Sequence, residues 1–161
     1  MHLLNPFKLD EKYQLIYNQA SLNDNEDKRQ YNIILGKKIF VLQKVFPTLF
    51  GKEHIPGFQI FQIELPLIAS TWLTDTIEHK FWVSAAQGGL PTGTYSYKEE
   101  VNGEKLALYR EMNVGAKNQK GFRLTNFSRP SRIYDDDNFQ DFFLTDIMLL
   151  DGGLLNALKK I

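Results

Sequence analysis

The sequence predicts an α+β fold in a single domain. Helices are expected over 6–46, a central, mainly antiparallel sheet over 58–127, and a helical segment over 138–160 packed on that sheet. Three observations predict this. Apolar residues recur at helical spacing near both ends of the chain. The middle is dense in β-formers interrupted by Gly and Pro. Asn102-Gly103 marks a two-residue hairpin turn between alternating flanks.

Asn5-Pro6 supplies a cap followed by proline at the first helical position, and Leu9, Tyr13, Ile16 and Ala20 then recur on one helical face, which predicts a helix over 6–20. Asn23 and Glu26 have the spacing of a capping box. Tyr31, Ile34, Leu35, Ile39, Leu42, Val45 and Phe46 share one face of a second helix, which Pro47 ends. Ile33 and Phe40 fall on its opposite face, and Gly36 costs about 1 kcal/mol relative to Ala inside a helix.

Phe58–Leu65 reads as a half-buried strand closed by Pro66, and 66–74 suits either a short helix or a strand. His79–Ala85 reads as a strand, followed by the loop Gly88-Gly89-Leu90-Pro91-Thr92-Gly93. Around Asn102-Gly103 the expected partners are Val101 with Glu104, Glu100 with Lys105 and Tyr97 with Leu108. One face of that hairpin carries Tyr95, Tyr97, Leu106 and Leu108, and the other carries the opposite-charge pair Glu100 and Lys105. Phe122–Phe127 is a further strand. Asn138 can cap a helix to Leu150 whose apolar face holds Phe139, Phe142, Phe143, Leu149 and Leu150. Gly152-Gly153 breaks it before a last helical piece at Leu154, Leu155 and Leu158.

Composition narrows the chemistry. The chain has 161 residues, an apolar fraction of 43% and 12 Phe, enough for a real core. It carries 19 basic against 19 acidic residues, a balance that argues against a generic nucleic-acid or anionic-membrane partner. There are no cysteines, so disulfides, thiolate nucleophiles and cysteine-bound metals are excluded. No apolar run reaches the roughly 20 residues of a membrane span, and the start shows no basic and apolar leader, so a cytoplasmic protein is expected.

Motifs for catalysis fail on inspection. His2, His54 and His79 lack metal-helix spacing, and no G-x-S-x-G elbow is present, so neither a catalytic residue nor a metal or other cofactor is expected. Gly88–Thr94 has the outer spacing of a phosphate loop, but Thr94 stands where its lysine belongs. Lys120-Gly121-Phe122-Arg123-Leu124-Thr125-Asn126-Phe127 matches an RNA-binding octamer at four positions, yet Leu124 replaces a stacking ring and Arg123 a small residue.

Charge is segregated late in the chain. From Lys117 to Tyr134 there are five bases (Lys117, Lys120, Arg123, Arg129, Arg132) and no acid. From Asp135 to Asp151 there are six acids (Asp135, Asp136, Asp137, Asp141, Asp146, Asp151) and no base. The acids suit a helix N-terminus paired with the neighbouring arginines. They also suit a patch that docks a cationic partner. Asp146 falls in the apolar helical face, where it needs a structural partner, has a perturbed functional role, or begins a helix near Thr145.

The expectation is a non-enzymatic protein-binding module, of the kind formed by small bacterial immunity or inhibitor proteins. It would neutralise a basic partner such as a toxin or nuclease domain through Tyr134, Asp135, Asp136, Asp137, Phe139 and Asp141. A second reading is a small enzyme or ligand-binding domain with a pocket between sheet and C-terminal helix, formed by His79, Trp82, Tyr95, Arg123 and Asp146. A third is a nucleic-acid binder using 117–132 with Phe122, Phe127 and Tyr134.

Overall fold

A computed structural model describes residues 3–22, 29–48, 55–114, 117–131 and 139–161. Two antiparallel four-stranded sheets make up most of it, with three helices, an α+β architecture dominated by strand. The first sheet runs β1 (Gln14–Ala20), β2 (Gln30–Leu35), β3 (Ile39–Pro47) and β4 (Phe58–Pro66) in chain order. The second runs β5 (Ser96–Val101), β6 (Glu104–Glu111), β7 (Gly121–Asn126) and β8 (Gln140–Thr145). Between them lie α1 (Ala69–Thr76), a π-helical turn (Ile77–Phe81) and a short 3-10 turn (Ala85–Gln87). After β8 come α2 (Asp146–Leu150) and α3 (Leu154–Leu158).

Among the described residues, β1, β2 and β3 stand where helices are expected over 6–46, residues 6–13 are irregular, and the capping-box spacing of Asn23 and Glu26 lies outside the described residues. The reason is visible in β2 and β3, whose both faces are buried. Tyr31, Ile33, Phe40 and Leu42 join the core between the sheets, while Ile34, Val41 and Val45 are buried on the other face. Apolar residues on both parities produce an unbroken run that fits a helical period as well as a strand. The β-branched and aromatic content then decides for strand. Gly36, a liability in a helix, lies in the β2–β3 turn, and its N–H donates to the carbonyl of Ile39 at 2.8 Å. That second face is covered by residues 3–13. Leu4 N–H donates to Gln62 Oε1, Gln43 Nε2 donates to Leu4 O, and the Phe7 and Phe58 rings stand 4.7 Å apart.

The helix expected from 138 is likewise replaced in its first half by β8, whose residues alternate between buried and exposed from Gln140 to Leu144. A strand sends neighbours to opposite faces, so Phe142 enters the core while Phe143 faces outward. Helix begins only at Asp146, with the Thr145 hydroxyl accepting from Met148 N–H at 3.3 Å as its cap. The strand expected over His79–Ala85 is absent: His79–Phe81 end the π-helical turn that continues α1, Trp82–Ser84 are irregular, and Ala85 opens the 3-10 turn.

The β5–β6 turn places Asn102 and Gly103 at φ 50° and 79°, with Val101 opposite Glu104 and Glu100 opposite Lys105. Asn and Gly are the residues that accept this pair of positive angles at least cost. Instead of one central sheet, two sheets meet, and side chains from both, with Leu73, Met148, Leu149, Leu154, Leu155 and Leu158 of the helices, form one apolar cluster.

The sheets also meet at a polar seam. β4 is an edge of the first sheet, and its Glu64 backbone is closed by side-chain amides of the second. Gln140 Oε1 accepts from Glu64 N–H at 2.8 Å, and Asn126 Nδ2 donates to Glu64 O at 2.9 Å. The fully buried Glu64 carboxylate receives Arg129 Nη1 at 3.0 Å. Arg129 also grips Glu104 with two hydrogen bonds of 2.8 and 2.6 Å. Glu64 continues a polar row across the first sheet. Gln62 Nε2 donates to Glu64 at 3.2 Å, Gln43 to Gln62 at 2.9 Å, and Asn18 to Asn32 at 2.6 Å.

Candidate functional site

The outward face of the second sheet gathers the most chemistry. Strand register lays it out in rows. One row is Ser96, Tyr109, Arg123 and Phe143, and the next is Lys98, Ala107, Thr125 and Asp141. Beyond these, Phe127 packs its ring edge-on against Phe139 at 4.9 Å. Phe139 and Phe143 are 41% and 40% exposed, high values for phenylalanines standing on a sheet face. Asp141 lies between them on the same face of the chain, exposed, and accepts a hydrogen bond from the Thr125 hydroxyl. The face's cations are held toward β5 and β6. The Arg123 guanidinium lies 4.2 Å from the Tyr109 ring centre and its Nε donates to Glu111 at 2.9 Å. Lys98 Nζ sits 5.7 Å from Tyr109 and 5.9 Å from Phe127.

Phe139 and Asp141 of the expected partner site are therefore on one face. Tyr134, Asp135, Asp136 and Asp137 lie outside the described residues. Phe143 was expected in a helix's apolar face. Strand alternation starting from Phe139 is the signal that identifies it as an outward residue.

The expected pocket is not assembled as a set. His79 is exposed on the π-helical turn. Arg123 points to the outward face, away from Asp146. Asp146 is held instead by Arg110 at the end of the inward face, Trp82 shares only the Phe122 ring with that guanidinium, and Tyr95 meets Arg110 through its backbone while its ring is exposed. Arg110 donates Nη1 and Nη2 to the two oxygens of Asp146 at 2.6 and 2.7 Å. Its guanidinium lies 4.7 Å from the Phe122 ring centre, and the Trp82 ring is 6.2 Å from the same ring. The Tyr95 carbonyl accepts Arg110 N–H at 2.8 Å. Both Asp146 oxygens are thus consumed by one guanidinium fork, a structural partnership. Sequence reasoning missed Arg110, yet hairpin register continues the inward row Leu106, Leu108 to Arg110. A base and an acid that both face inward are a pair in waiting.

Phe122 is 0% exposed and meets Phe81 at 5.3 Å, so its ring is spent on the core and offers no stacking surface. Among the described residues no group of three or more His, Cys, Asp or Glu could hold a metal ion. Nor, among the described residues, is any helix long and apolar enough to cross a membrane.

Ionisation is perturbed mainly at the seam. Burial alone would raise the Glu104 carboxyl, but hydrogen bonds from Arg129 and Asn126 together with the Arg129 charge outweigh it and hold the group below its ordinary 4.5. The bond to Glu104 raises Arg129 above its own ordinary value against the cost of burial. On β1, burial pushes the Tyr17 hydroxyl up to about 12 while it donates to Gly152 O at 2.8 Å. These groups are engaged with one another or with backbone, which marks them as structural.

No protein-family model, curated protein or solved structure matches the chain.

Proposed function

We propose that this chain is a non-enzymatic protein-binding module of the immunity or inhibitor type. It docks a cationic protein, such as a toxin or nuclease domain, on the outward face of the second sheet. The observation that carries this reading is the pair of half-exposed rings, Phe139 and Phe143, flanking the exposed Asp141. Aromatic side chains concentrate binding energy at protein interfaces because they bury large area at little entropic cost. Of the six acids between Asp135 and Asp151, Asp146 is neutralised by Arg110, while Asp141 and Asp151 are exposed and, with Asp135, Asp136 and Asp137 close before them in sequence, supply a field that speeds encounter with a basic partner. A cytoplasmic setting belongs to the same proposal. Treating the whole chain as one domain is supported by the apolar cluster that draws on both sheets and all three helices, and coincident unfolding by near- and far-UV circular dichroism tests it.

The test of function is affinity capture from native lysate with the wild-type chain and a Phe139→Ala/Phe143→Ala double variant. The expected result is a basic protein retained by the first and lost by the second, with an association rate that falls as salt rises. Capture that is equal for both proteins overturns the placement of the site. An acidic or neutral partner overturns the charge argument.

A further inference from the structure

We infer that β8 carries a seat for an arginine side chain, formed by Phe139, Asp141 and Phe143 as three alternate residues on one exposed strand face. The inference rests on the docking face proposed above and names the chemical group that the face takes. Alternate residues of a strand stand about 7 Å apart, so a guanidinium bonded to Asp141 comes within about 6 Å of a ring on either side, the range of cation–π attraction. A planar guanidinium satisfies both demands at once, pairing edge-on with a carboxylate and stacking face-on against a ring.

Three observations point to a cation supplied from outside. Among the described residues Asp141 forms no ion pair and accepts only the Thr125 hydroxyl, which orients its carboxylate without neutralising it. Arg123, which stands opposite Phe143, is drawn toward β6 by Glu111 and the Tyr109 ring, and Lys98, in the row of Asp141, lies by the Tyr109 and Phe127 rings. Phe139 is braced by Phe127, so the seat is held in place before anything binds. The occupant is therefore an arginine-bearing segment of a basic protein. A nucleic-acid strand is the competing occupant of an aromatic sheet face, and Asp141 would repel its phosphates.

The experiment titrates the full chain with a short fluorescent oligoarginine peptide, a matching oligolysine peptide and a single-stranded RNA, at about 0.15 M salt. The variants are Asp141→Asn, Phe143→Leu and, as a control for bulk charge, Asp151→Asn, whose residue is exposed outside the stripe. Thermal melts establish that each is folded. The expected result is oligoarginine bound more tightly than oligolysine, weakened about fivefold or more by Asp141→Asn and about threefold by Phe143→Leu, with little change in Asp151→Asn. Phe143→Leu keeps the apolar bulk and removes the π face, so it tests the stacking separately from folding. Equal losses in Asp141→Asn and Asp151→Asn overturn the seat in favour of diffuse charge. RNA binding that Asp141→Asn strengthens overturns it in favour of a nucleic-acid platform. Loss of the captured lysate protein in Phe139→Ala/Phe143→Ala, with peptide binding indifferent to Asp141→Asn and Phe143→Leu, keeps the docking face and removes the arginine seat. Peptide binding at the stripe with capture unaffected does the reverse.

Discussion

Replacing Arg129 with Met is expected to cost more than any change at its two carboxylate partners. Glu64 is fully buried, and the Arg129 side chain is only 22% exposed. Removing one member of such a pair leaves a charge in a medium that solvates it poorly, a loss of about 3–5 kcal/mol. Glu64 keeps its bond from Gln62, which places the expectation near the lower end, about 3 kcal/mol. Glu64→Gln keeps the shape and removes the charge, while Arg129 retains two bonds to Glu104, so its cost is about 1–2 kcal/mol. The double variant restores charge balance and is less destabilised than the sum of the singles. Urea unfolding followed by circular dichroism reads all three. With a slope of about 2 kcal/mol per molar, Arg129→Met moves the midpoint down by about 1.5 M. An Arg129→Met midpoint within 0.5 M of wild type, or a Glu64→Gln cost larger than the arginine's, refutes the reasoning.

Three further outcomes follow from the same geometry. Because the Glu104 carboxyl lies below 4.5 in the folded state, it contributes stability above that pH and loses it as pH falls through its folded value. Melting temperature should therefore drop below about pH 4.5, and more shallowly in Glu104→Gln. Gly121→Ala puts a methyl 2.1 Å from the Leu144 carbonyl, which forces β7 from β8, and hydrogen exchange should accelerate selectively in those two strands. Asn102→Val places a β-branched residue at φ 50° in the hairpin turn and is expected to cost about 1–2 kcal/mol in thermal denaturation, with the fold retained.

What was legible in the sequence depended on how local its cause was. The β5–β6 register is dictated by two turn residues and their immediate flanks, and Val101 stands opposite Glu104 as that chemistry requires. The region 30–47 has the period of a helix because both faces of β2 and β3 are covered, and periodicity carries no sign of the residues 3–13 that cover one of them. The candidate site shows the same divide. Phe139 and Asp141 were visible as an aromatic and an acid near a charge boundary. Phe143 and Arg110 were not singled out as outward and inward residues, because each depends on which side of a strand it occupies. Asp146 was rightly marked as a carboxylate needing a partner, but that partner lies 36 residues away in the chain.

The polar seam has a consequence for the order of folding. Glu64 meets Arg129 across 65 residues, and Gln140 reaches the Glu64 backbone across 76. During synthesis β4 emerges long before either, so its edge stays open and its carboxylate stays in water until the last hairpin of the second sheet arrives. The first sheet is thus held unfinished by the second, and its closure becomes a late, slow step gated by distant parts of the chain.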